Sequence, residues 1–276
     1  ERVPLMSREE IKETSVLESL KNIITNRPLL AVILANFFNS FKSVGGSSES
    51  YFWLNNTGSL LNQTICGLFT GIPNYIMVPV AAKMVKKWGA RATSIIAGLF
   101  GFFAYMTLFF VGFHPFGQTF KDHYIFNLIW VIFGLTICGL PNKILNVSGQ
   151  IVTAEALDYM EWKHGLRNEA LVTTVQGYFG KLATSVTGWL SGMVLTWINY
   201  VPLTDSLGNA VPQTDPTMLN GIWAVFCILP ALARGLYGVS FIIYPIHGDL
   251  QQQMIVELAE KRAQRLAEQE AKDHQA

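Results

Sequence analysis

The sequence predicts an all-α membrane protein, a bundle of six spanning helices, and three observations predict it. Half of the 276 residues are hydrophobic and only 14% are charged, where soluble domains carry about a quarter charged residues. The mean hydropathy is +0.31. The charges are also unevenly spread, leaving six stretches nearly free of Asp, Glu, Lys and Arg, each long enough for the roughly 20 residues that a bilayer core requires of a helix. A net charge of +1 excludes a nucleic-acid binder that relies on net positive charge. The composition likewise excludes a disordered chain or a disulfide scaffold. Cys66, Cys138 and Cys227 lie far apart in apolar stretches and read as small buried hydrophobes. The five histidines fall in or near loops, so neither a metal site nor a cofactor is expected.

Residues 1–28 are polar and charged, lack the apolar core of a secretory signal, and read as a cytoplasmic connector. The first span, 29–53, holds Lys42 and Glu49 seven residues apart, on one helical face about 10 Å from each other along the axis. Asn36, Asn39, Ser43, Ser47 and Ser48 surround them, and Gly45-Gly46 can bend the helix. That composition suits a cavity-lining, partly unwound segment; the alternative places Glu49 at the extracytoplasmic interface and has Lys42 bond to a neighbouring helix. Spans 60–82 and 92–113 are charge-free and joined by a basic turn. Span 124–150 carries Lys143 after Pro141-Asn142, a proline that frees a backbone carbonyl. Span 170–198 carries Lys181, and span 221–246 carries Arg234, which is expected to face the bundle interior. Residues 248–276 form an amphipathic tail helix with Leu250, Met254 and Leu258 on one face, lying solvated or interfacial on the cytoplasmic side, or docked there.

Orientation follows from the basic residues, which are retained in the cytoplasm. Arg2, Arg8, Lys12, Lys21, Arg27, Lys83, Lys86, Lys87, Arg91, Lys163, Arg167, Lys261, Arg262, Arg265 and Lys272 fall on one side. Only Lys121 falls in the alternate loops, so both termini are expected in the cytoplasm of a plasma-membrane protein.

The densest polar run is Asp158-Tyr159-x-Glu161-x-Lys163-x(3)-Arg167-x-Glu169, followed by Gln176-x(4)-Lys181. Together with Asn26-Arg27-Pro28-Leu29-Leu30 and the basic turn Lys83-Met-Val-Lys-Lys87-Trp-Gly89-Ala-Arg91, it resembles the glycoside-pentoside-hexuronide:cation symporter family, of the major facilitator fold. The resemblance runs from the first residue to about Arg265. It implies that this chain is the C-terminal six-helix half of a twelve-helix transporter. Its partners would be an N-terminal six-helix half, the lipid bilayer, and a sugar or glycoside carried with Na⁺ or H⁺ bound mainly by that other half.

The same resemblance implies that Lys181 faces the acidic cation site and that Gln176 faces the sugar cavity. The residues by themselves leave Lys181 open to a snorkelling role and Gln176 to bonding between helices. Lys143 is a third candidate for the substrate pathway. The resemblance departs at Asn146, twelve residues before Asp158, where the family's pattern has a sugar-stacking Trp; stacking must then come from elsewhere, such as Trp130 or Tyr178, or the substrate differs. Asp158, Tyr159, Glu161, Lys163, Arg167 and Glu169, with Arg91, put mixed charge at the cytoplasmic mouth, where salt bridges can hold a gate shut or simply stay solvated. Lys42, Lys143 and Lys181 against Glu49 leave an excess of positive charge, which calls for a partner surface rich in Asp and Glu. A membrane-embedded sensor or assembly subunit of the same fold stands as the alternative, kept open by Asn146. No nucleophile–base set or phosphate-cradling loop suggests an enzyme.

Overall fold

A computed structural model describes residues 26–165, 169–206 and 210–273. The connector up to residue 25 and Arg167 of the polar motif lie outside the described residues. Eight helices occur among them: α1 (Arg27–Ser40), α2 (Lys42–Ser47), α3 (Glu49–Asn55), α4 (Leu61–Val111), α5 (Tyr124–His164), α6 (Glu169–Trp197), α7 (Pro216–Ser240) and α8 (Asp249–Asp273). A two-residue strand pair, β1 (Leu203–Thr204) with β2 (Ala210–Val211), closes the proline-bearing turn between α6 and α7. Four stretches are long and apolar enough to cross a membrane: 27–55, 61–111, 124–163 and 216–240.

The first of these is a broken rod. Asn26 caps it, its side chain accepting from the Leu29 N–H at 3.2 Å, and Pro28 takes the first turn, where its missing N–H costs nothing. The rod breaks at Phe41 and again at Ser48, where backbone N–H groups reach only three residues back, to Phe38 and Gly45. Serine explains the breaks. The hydroxyls of Ser40, Ser43 and Ser48 donate to the carbonyls of Asn36, Ser40 and Val44, a local competition that bends helices. Gly45, expected to unwind the rod, serves instead to admit α7: a Cβ there would stand 2.5 Å from Pro230 Cγ.

α4 folds back on itself. Its backbone leaves helical geometry at Gly89 (φ 81°, ψ 160°), a conformation open to glycine and strained for other residues. Along arm 61–88, Tyr124 OH donates to Asn62 Oδ1 at 2.8 Å, Gly139 meets Asn74, and Lys143 sits over Tyr75. That arm therefore runs parallel to α5. Along arm 90–111 the order inverts: Gly112 meets Trp130, Leu108 meets Gly134, and Ser94 meets Ser148. The expected basic turn is thus a hairpin centred on Gly89.

The 41 residues of α5 extend about 61 Å at 1.5 Å per residue, well beyond the ~30 Å hydrocarbon core. Its far end projects, and it stops at Gly165, which is left-handed (φ 71°). The Asp158–Lys163 run, expected outside span 124–150 at the cytoplasmic mouth, is therefore a continuation of that span's helix. α8 does not lie free. Met254 and Leu258 are buried in the same cluster as Tyr244, Val152 and Ala156.

Two apolar clusters hold the bundle. One, at the Gly89 end, gathers Leu29, Val32, Leu145, Tyr237 and Phe241. The other gathers Phe52, Trp53, Phe113, Trp223 and Phe226, with Phe52 and Phe226 stacked at 4.9 Å. Cys66, Cys138 and Cys227 are buried, as expected. Arm 90–111 crosses α7 in backbone contact, since a Cβ on Gly98 would stand 2.8 Å from the Arg234 carbonyl and from Gly238; small residues allow such approach where no hydrophobic drive exists between helices. Gly98→Leu should therefore lower stability by about 1–3 kcal/mol in detergent denaturation, whereas Gly188→Ala, with open space around its Cβ position, should leave the midpoint unchanged or raised.

Candidate functional site

Between the two clusters lies a cavity of about 390 Å³. Its depth is fixed consistently on every element. On the broken rod its residues, Lys42, Gly45, Gly46 and Glu49, follow Leu29–Ala35 of one cluster and precede Phe52 of the other. On α7, Pro230 and Arg234 fall between Phe226–Cys227 and Tyr237. Thr70 and Asn74, Tyr105, and Gly139 with Asn142 complete the wall from the two arms of α4 and from α5.

Three charged side chains line it: Lys42, Glu49 and Arg234. Arg234 is 3% exposed. Its Nη1 donates to Asn39 Oδ1 at 3.3 Å, and its Nε has no acceptor among the described residues. Glu49 Oε1 accepts from Trp53 Nε1 at 3.4 Å. Asn74 donates to the Thr70 carbonyl while its Oδ1 is buried without a donor. The wall therefore offers an unused donor, an unused acceptor and the rings of Tyr105 and Phe226, a combination suited to a polar molecule with an apolar face.

The structure brings together Lys42 and Glu49 and adds Arg234, Asn74 and Tyr105. Lys143 stands outside the cavity wall, its Nζ 4.5 Å from the centre of the Tyr75 ring. Asn146 and Lys181 are exposed on the bundle surface, and Gln176 is half-buried with its Nε2 unpartnered. Trp130 donates to the Gly112 carbonyl and Tyr178 is exposed, so neither lines the cavity. Asn74 and Tyr105 sit in charge-free spans and give no signal by composition. Arg234 did give one, as an isolated charge in an apolar stretch.

At the Gly89 end the polar motif meets the tail. Arg262 Nη2 lies 2.8 Å from Asp158 Oδ1 and 2.6 Å from Glu161 Oε2, with Glu161 only 7% exposed. These carboxylates, Glu161 foremost, hold the Arg262 guanidinium even more firmly protonated than usual. Glu155 accepts from Tyr244 and Gln251. Trp162 Nε1 donates to Glu257 Oε2 at 2.6 Å, which with Gln253 keeps the Glu257 carboxyl below its ordinary range. Tyr159 packs on Trp162 and lies under Lys163 Nζ. Arg91 donates to the carbonyls of Phe241 and Ile242 at 3.1 and 2.9 Å, closing the end of α7. Glu169 is exposed in the first turn of α6.

A family model described as MFS/sugar transport protein matches residues 2–248. The chain belongs to this family. It is a membrane protein of the major facilitator type, and the symporter family suggested by the Asp158–Lys181 pattern is borne out. The chain is 30% identical over 255 residues to the uncharacterized symporter YjmB of Bacillus subtilis (strain 168), covering 91% of this chain and 50% of that protein. It is 22% identical over 256 residues to the isoprimeverose transporter of Lactiplantibacillus pentosus (92% and 49%). It is 26% identical over 243 residues to the putative sulfoquinovose importer of Escherichia coli (strain K12) (82% and 45%). The chain spans about half the length of the curated relatives it matches.

The Glu257 contact has a definite sign with pH. A depressed carboxyl stabilises the docked tail above the ordinary Glu pKa of about 4.3, and that contribution is lost as pH falls through the lower folded value. Hydrogen exchange in α8, corrected for intrinsic rates, should thus rise on acidification below this range. Trp162→Phe should raise it already at neutral pH.

Proposed function

We propose that the chain is the C-terminal six-helix half of a secondary transporter that moves a sugar or glycoside across the plasma membrane with Na⁺ or H⁺. The six passes are the broken rod 27–55, the arms 61–88 and 90–111, the apolar part of α5, α6 and α7. The observation that carries this reading is the mid-depth cavity, walled by a broken helix and bearing charge inside an apolar bundle, the arrangement in which transporters of inverted-repeat type bind cargo. The isoprimeverose transporter and sulfoquinovose importer among its relatives support a sugar as that cargo.

An ammonium at mid-membrane costs roughly 2.5–3.5 kcal/mol on insertion scales. Lys181, exposed on α6, is therefore assigned to carboxylates of the N-terminal half, where it responds when a cation binds. Gln176, with its buried and unused Nε2, is assigned to the same face. Asp158 and Glu161 with Arg262 form a cytoplasmic latch. Both contacts share the one Arg262 side chain, which is 37% exposed, so withdrawing that side chain opens the latch as the halves rock.

In the intact transporter, Lys181→Val should insert normally and lose concentrative, cation-driven sugar uptake. Accumulation at the parental level would leave Lys181 a structural residue. Orientation is checked separately: cysteines at Thr119 and Asp205 should react with an impermeant thiol reagent from outside, and one at Lys87 should not.

A further inference from the structure

Side chains of this chain tie α3 at both of its ends. Its seven residues, Glu49–Asn55, extend about 9 Å from the cavity toward the end of the bundle opposite Gly89. Glu49 lines the cavity, and its Oε1 accepts from Trp53 Nε1, one turn on, at 3.4 Å. Trp53 is fully buried, and its carbonyl accepts from Thr57 Oγ1 at 2.6 Å. Thr57 Oγ1 in turn accepts from Asn62 Nδ2, and Asn62 Oδ1 accepts from Tyr124 OH, each at 2.8 Å. Glu49 is thus joined through Trp53 to the first turns of α4 and α5.

At the other end Asn55 is 4% exposed and bonds with both ends of its carboxamide. Its Oδ1 accepts from the Gln213 N–H at 3.1 Å, and its Nδ2 donates to the Tyr51 carbonyl at 2.8 Å and to Tyr200 OH at 3.4 Å. Tyr200 and Gln213 flank the β1–β2 pair of the α6–α7 turn, so one side chain holds that turn at both its ends. Gln213 Nε2 also donates to the Val201 carbonyl, and the Tyr51 and Tyr200 rings meet edge to face at 4.9 Å. Both partners of every tie belong to this chain, so none of them turns on what else packs against the bundle. Ser48, where the rod breaks, is the kind of element-terminal position at which a segment swings.

We propose that α3 couples the cavity to the α6–α7 turn. A hydroxyl or ammonium donor that takes Glu49 Oε1 displaces Trp53 Nε1, α3 shifts at its cavity end, and Asn55 passes the shift to Tyr200 and Gln213, loosening the turn. Asn55 is the coupling residue because it is what α3 and both ends of the turn share. A buried amide N–H that loses its acceptor is costly, which keeps Gln213 moving with Asn55 rather than apart from it. By linkage the turn acts back on the cavity: holding it closed favours the Glu49–Trp53 bond. The proposal goes beyond the transport reading, since it concerns contacts within this chain whatever the cargo.

Hydrogen exchange on the purified intact protein tests the coupling in a double-mutant cycle with no ligand added. Glu49→Ala removes the acceptor of Trp53 Nε1 and should speed exchange of Gln213 and the β1–β2 amides about twofold or more, the low end of coupling within a shared network. Trp53→Phe, which keeps a ring and removes the donor, should do the same. Asn55→Ala should speed that exchange by itself, and Glu49→Ala should then add nothing to it. Exchange in α8, at the opposite end of the bundle, should stay at the wild-type rate in all of them. An unchanged turn in Glu49→Ala, an equal increase with and without Asn55, or an increase shared by α8 overturns the proposal. Where Asn55→Ala does not fold, the two cavity-end variants decide: both must speed the turn and leave α8 unchanged, and failure of either overturns it.

Discussion

A guanidinium buried in an apolar bundle is the constraint on which the middle of this protein depends. Arg234 can neither deprotonate nor reach water cheaply, so neighbouring elements are shaped around it. Gly98 and Gly101 bring arm 90–111 against its backbone and stem, and Asn39 supplies one acceptor from α1. The serine-rich break of the rod then turns Lys42 and Glu49 into the same space. An unbroken helix along 27–55 would keep its carbonyls within its own ladder; breaks at Phe41 and Ser48 redirect the chain at the depth where polarity is needed.

Above and below that level the packing differs in kind. The far cluster is aromatic, with Phe52 stacked on Phe226 and flanked by Trp223 and Phe113, and rings make that end stiff because few rotamers fill the same volume. The Gly89 end is joined by Arg91 on backbone carbonyls and Arg262 on carboxylates. These polar contacts sit beside an apolar cluster that buries Phe241, Tyr244, Met254 and Leu258. The cavity lies at the boundary between the two clusters.

The bundle was legible in the sequence because lipid enforces it: long charge-free runs, and basic residues sorted to alternate turns. Gly89 within Lys-Lys-Trp-Gly-Ala-Arg marked the hairpin because a reversal that tight needs positive φ. The motif's surroundings were less legible. Asp158 and Glu161 announced a cluster, but their partner is Arg262, a hundred residues on, and no local spacing encodes that meeting. The docking of α8 was equally hidden, since Met254 and Leu258 at helical spacing suit an interfacial helix and a packed one alike. At the cavity, Lys42 and Glu49 stood out as charges, whereas Asn74 and Tyr105 are ordinary residues of spanning helices until tertiary contact leaves them facing a void.

The residues that the cavity leaves out are informative for the same reason. Lys143 satisfies its charge on the Tyr75 ring, a contact within this chain. Lys181 is exposed on a face that also shows Tyr178, Leu182 and Trp189. Lipid accepts the rings but not the ammonium, and the large apolar side chains around it leave short reach to water for a lysine more than two turns from either end of α6. Under the proposed function, the charge on the α6 face is answered by what packs against it. In the proposed transporter, loading the cavity and engaging that face act at two sites of one chain, and they are coupled only where both bias the same conformational equilibrium.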